Sequence, residues 1–64
     1  MPYFNSSAVK RAEYDPLTMR LTLWFAQGHS YDFCHVPAHI WNGLLAAGSK
    51  GTYYNDHIAG RYHC

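Results

Sequence analysis

Charge is scarce in this chain. Only 14% of its 64 residues are charged, five Lys or Arg against four Asp or Glu. A disordered segment needs few apolar residues and much net charge. This chain is 48% hydrophobic and carries a net +1 with its histidines neutral, so it is expected to fold. A basic stripe is missing too. Lys10, Arg11, Arg20, Lys50 and Arg61 are scattered, which excludes binding by a blanket of positive charge. Any nucleic-acid contact must come from a local patch that the fold assembles.

Acid–base chemistry is short of material. Glu13, Asp15, Asp32 and Asp56 are the whole acidic inventory, and Asp56 beside His57 fits a helix surface. With no convergent acid–base set, an enzyme is not expected. Long apolar runs are absent, so no membrane span is expected. A signal-peptide pattern is absent as well, Met1-Pro2-Tyr3 resembles a native start, and the expected compartment is the cytoplasm. Cysteine is limited to Cys34 and Cys64. A small secreted scaffold would have more, so both are expected to be reduced. Cys34 is then a small buried or half-buried apolar residue. His35 points to the opposite face of a strand and cannot activate it. Cys34, His35, His39, His57, His63 and Cys64 are zinc-ligand types without zinc-ligand spacing, so neither a metal nor a cofactor is expected.

Aromatic residues are what the chain has in quantity: 17%, including six Tyr and two Trp. They supply large buried area per side chain. A small domain needs this, because it buries only about 60% of its unfolded surface. The length allows one domain, residues 1–64.

Met1–Ser6 is expected to be a loose lead-in. Ser7–Tyr14 fits a strand with a bulge near Lys10. Asp15-Pro16-Leu17-Thr18 is a turn in which Pro16 presets φ and Asp15 accepts from an amide two residues on. Met19–Ala26 alternates most cleanly: Met19, Leu21, Leu23 and Phe25 face the core, and Arg20, Thr22, Trp24 and Ala26 face out. Trp24 is then the anomaly. It is either covered by a segment such as Tyr3-Phe4 or serves as a contact surface. Gly28 supplies the next turn. In His29–Pro37, Tyr31, Phe33 and His35 share one side of a third strand, with Ser30, Asp32, Cys34 and Val36 on the other.

Pro37 suits a helix start, and Ala38–Ala47 follows with Ile40, Trp41, Leu44 and Leu45 as its apolar stripe. Gly43 inside it implies close packing against the sheet, and Gly48 is the expected stop. A second helix is expected over Tyr53–Ile58, capped by Ser49 or Thr52. The fold class is α+β: a three-stranded antiparallel β-meander followed by two helices packed on one face. Leu21, Leu23, Phe25, Tyr31, Phe33, Trp41, Leu44 and Ile58 are the expected core.

The order of these motifs resembles a known family. The pattern runs Ser6-Ser7-Ala8, Tyr14-Asp15-Pro16, Leu21, Phe25, Tyr31-x-Phe33, Val36-Pro37, Leu44-Leu45, Ser49-Lys50-Gly51, Tyr54-Asn55, Ile58 and Tyr62. It is similar to the KTSC domain, a small bacterial and phage domain also found at the C-terminus of some lysyl-tRNA synthetases. The resemblance implies a small binding module with RNA as its partner. The family's central Tyr-x-Tyr appears here as Tyr31-x-Phe33, without the second hydroxyl.

Two places fit that role. Ser49, Lys50, Gly51 and Thr52 combine glycine-flanked amides, a lysine and a helix start, the physics of an anion site, which Arg61 would join if the tail folds back. The competing reading is a capping turn with a solvated lysine. Trp24 with Arg20, and Tyr53, are the aromatic candidates for stacking on bases. The alternative function is a phage- or host-directed protein-interaction module that uses the outer face around Trp24.

Overall fold

Alternation over six residues builds the centre of the molecule. The computed structural model describes residues 8–64. Strand β2, Arg20–Phe25, lies between β1, Val9–Asp15, and β3, Ser30–Phe33, in an antiparallel meander of order β1-β2-β3. Leu21 and Leu23 of β2 are fully buried. Tyr14 and Phe33 flank Leu21 on the inner face, and Ala12 and Tyr31 flank Leu23. The register slips between Val9 and Arg11, so Lys10 is the bulge. That extra residue lets Val9 and Ala12 both point inward, and both are fully buried.

The turns follow their side chains. The Leu17 amide donates to Asp15 Oδ1 at 2.9 Å, and Gly28 takes φ +89. Met19, expected in β2, instead closes the first turn at φ +58 and is partly exposed.

The third strand ends early. After Phe33, His35 adopts φ +59, a left-handed conformation that His tolerates better than most residues. This reverses the alternation and turns Val36 inward to full burial, where an outward face was expected. The Val36 amide donates to Met19 O at 2.9 Å, and its carbonyl accepts from Tyr14 Oη at 2.6 Å.

Helix α1, Ala38–Ala46, and helix α2, Lys50–His57, cover the inner face. Leu44 and Ile58 are fully buried, and with Val9, Ala12, Leu21, Leu23, Phe33 and Val36 they form the core. Phe25 and Trp41 pack against it only partly buried. Trp41 stacks on Tyr14, centroids 5.6 Å apart. Tyr31 is a correction to the expected core, being 55% exposed. It sits on an edge strand, meets Phe25 edge-on at 5.6 Å and otherwise faces solvent. Leu45, expected in the buried stripe, is 40% exposed.

Gly43 packs closely, but against α2 rather than the sheet. A Cβ there would overlap the hydroxyl of Tyr53, which donates to Ile40 O at 3.0 Å. The expected lead-in over Met1–Ser6, and cover of Trp24 by Tyr3-Phe4, lie outside the described residues.

Candidate functional site

Sequence-predicted contacts fall on two sides of the domain. On the outer face of the sheet, register places Arg11 beside Trp24, Glu13 beside Thr22 and Asp15 beside Arg20. Asp32 lies beside Thr22 from the other strand. These groups pair with one another. Arg20 bridges Asp32 at 3.1 Å, and Thr22 donates to the same carboxylate at 2.8 Å. Arg11 reaches Glu13 at 3.2 Å, and its guanidinium lies 4.1 Å from the Trp24 ring centre. Trp24 is therefore half-buried under a cation and is not an open platform. Glu13, Asp15 and Asp32 share this face with Arg11 and Arg20, and exposed Lys10 stands at the bulge of β1. A cleft of about 180 Å³ at its rim is lined by Glu13, Tyr14, Asp15, Arg20 and Thr22, two carboxylates against one guanidinium. Phosphate is disfavoured there.

The Ser49–Thr52 corner is built differently from a loop. Helix α2 starts three residues earlier than expected, so Lys50, Gly51 and Thr52 are its first turn. Ser49 is the cap, and its Oγ accepts from the Thr52 amide at 3.3 Å. Gly51 permits a close approach, since a Cβ there would lie 3.0 Å from that of Ala8. Lys50 is not merely solvated. Its ammonium donates to Ala47 O at 2.6 Å and to Leu45 O at 3.0 Å. These carbonyls end α1, where a cation also complements the helix dipole. Gly48 keeps an ordinary φ and is not the left-handed stop that was expected; the lysine closes the helix in its place. Lys50→Ala is accordingly expected to destabilise the fold by about 1 kcal/mol. A urea melt checks this, and an unchanged midpoint would leave the lysine without a structural role.

Arg61 does not join Lys50. Helix α2 separates them, and its eight residues span roughly 12 Å. Arg61 Nε donates to Asp56 O at 3.0 Å, at the C-terminal end of α2. Helix α2 ends at His57 with Ile58 as its C-cap, and Gly60 takes φ +73 in the turn that follows. Tyr53 serves the helix pair: its ring lies 4.3 Å from that of His57. Burial, and then the neighbouring Tyr62, push its phenol above the ordinary tyrosine range. The helical half thus carries Lys50 and Arg61 against Asp56, with exposed His39, His57 and His63. Among the described residues, no three His, Cys, Asp or Glu side chains converge as metal ligands.

One feature was missed by sequence reasoning. Cys34 and Cys64 are joined in a disulfide, with Cα atoms 4.7 Å apart across a separation of 30 residues. The expectation of two reduced cysteines is overturned. Neither spacing nor flanking residues signal the pairing, because only the folded tail brings the two together.

The family model described as the KTSC domain matches residues 5–62. The chain belongs to the KTSC domain family. A KTSC domain protein of Yersinia pestis, known from a crystal structure, superposes with a TM-score of 0.94 at 27% identity, covering 98% of this chain and 89% of that one. A protein of Tsukamurella paurometabola is 39% identical over 91% of this chain and 87% of its own length. The lysine–tRNA ligase of Nostoc sp. is 38% identical over the same share of this KTSC chain. That of Nostoc punctiforme is 34% identical. The KTSC chain spans only 10% of the length of either ligase. No helix among the described residues is long and apolar enough to cross a membrane.

Proposed function

We propose that this KTSC domain is a small, non-enzymatic RNA-binding module of the cytoplasm that meets RNA phosphates with its helical half. The observation that carries the reading is its similarity to a one-tenth segment of lysine–tRNA ligases, proteins that by name join lysine to tRNA. The charge layout supports a side for the contact. On the sheet's outer face Arg11 and Arg20 are both paired with carboxylates. The helical half is net positive, and exposed Arg61 holds only its Nε against the backbone among the described residues. His57 beside Tyr53 adds exposed ring surface in the last turn of α2.

The test is a fluorescence titration with tRNA at two salt concentrations. Wild-type affinity should fall with salt. Arg61→Gln should bind more weakly for every RNA sequence and lose about one unit of salt slope. Thermal melts confirm that both proteins are folded. Equal slopes and equal affinities would remove Arg61 from the contact. Failure of the wild type to bind any RNA would move the reading to a protein-interaction module, for which exposed Leu17 and Tyr31 are the apolar contacts available.

A further inference from the structure

We propose that the Cys34–Cys64 bond is a reversible redox latch on the segment after α2. The first ground is where the core lies. All eight core residues, from Val9 to Ile58, precede residue 59. The segment 59–64 contributes Tyr62 as partial cover and nothing fully buried. Losing the bond therefore leaves the meander and its two helices packed.

The second ground is how unequally the two ends are held. Cys34 is followed at once by His35 in its left-handed conformation and by Val36, which is buried and bonded on both sides. That end stays in place whatever the state of the sulfur. The other end is tied locally: the Ala59 amide to Tyr54 O, the Arg61 amide to Ile58 O, and Arg61 Nε to Asp56 O. Beyond Arg61, the described contacts are the packing of Tyr62 and the disulfide itself. Breaking the bond frees residues 63 and 64, beyond the packed Tyr62, and not β3.

The third ground is access. Cys64 is exposed and Cys34 partly so, and thiol exchange needs a sulfur that a thiolate can reach. The reductant is a small-molecule thiol. Its thiolate attacks Sγ of Cys64, and Cys34 leaves as a thiolate that takes up a proton. A second thiol resolves the mixed disulfide. Two cysteine thiols and one oxidised reductant result, a balanced two-electron exchange. In a reducing compartment, a bond of this kind acts as a sensor rather than a staple. The freed segment carries His63 and follows Arg61 closely in sequence, so the latch would also tune the RNA contact; that consequence alone rests on the RNA reading.

The experiment measures backbone NMR order parameters for oxidised protein, thiol-reduced protein and Cys64→Ser. Residues 63 and 64 should fall from about 0.85 to below about 0.6 in the reduced protein and the variant. The amides of Leu21 and Leu23 should keep their exchange protection in all three. Oxidised glutathione should restore the first state in the reduced wild type. Global loss of protection on reduction would make the bond a structural staple and overturn the latch. So would equal order parameters in all three samples, or two free thiols in protein held under oxidising buffer. If the latch appears and neither redox form binds RNA, the RNA reading fails and the latch stands.

Discussion

Leu23→Ala is expected to lower the melting temperature by about 8 °C or more. Leu23 is fully buried at the middle of the central strand, between Ala12 and Tyr31. Removing its isobutyl group loses the transfer energy and leaves a cavity, together about 2–5 kcal/mol. A domain this small has a total stability of only about 3–10 kcal/mol at roughly 0.05–0.15 kcal/mol per residue. Each kcal/mol shifts the midpoint of such a domain by about 4–8 °C. Circular dichroism melts of wild type and variant measure the difference. A variant melting within two degrees of wild type would take Leu23 out of the core.

The second large effect goes against helix propensity. Alanine should favour α1 over Gly43 by about 1 kcal/mol. Gly43→Ala is nevertheless expected to destabilise by about 1–3 kcal/mol, because the new Cβ overlaps the Tyr53 hydroxyl and ring carbons. Tyr53 must move, and its bond to Ile40 O breaks. A double-mutant cycle isolates this cause. In a Tyr53→Phe background the nearest clashing atom and the hydrogen bond are already gone, so Gly43→Ala should cost less than it does in wild type. Equal costs in the two backgrounds would mean that Tyr53 is not what the glycine accommodates.

These two positions differ in how well they could be read from residues alone. Leu23 lies in a strict two-residue alternation, and alternation reports the inner face directly. The same holds for Leu21, and the turn chemistry of Asp15 and Gly28 was local in the same sense. Gly43 announced a close contact but not its partner, since Tyr53 comes from a different helix. Val36 was assigned to the wrong face because one left-handed residue, His35, reverses the pleat, and a histidine does not advertise that conformation as a glycine does. Tyr31 alternates like Phe33, yet only the folded arrangement shows that it stays exposed at the edge. At the candidate site, Ser49 was legible as a cap. The fate of Lys50 was not, because a lysine that closes a preceding helix has the same sequence as a solvated one. The Cys34–Cys64 pair depends wholly on where residues 59–64 come to rest.

The proposed RNA contact lies on the helical half and not on the sheet. Amide chemical-shift mapping of the isotope-labelled protein, titrated with tRNA at low salt, tests it most directly. The expected result is perturbation concentrated at His57, Gly60, Arg61 and His63, with Arg11, Glu13, Thr22 and Trp24 unmoved. Shifts concentrated at Arg11, Arg20 and Trp24, or no shifts at saturating tRNA, would contradict it.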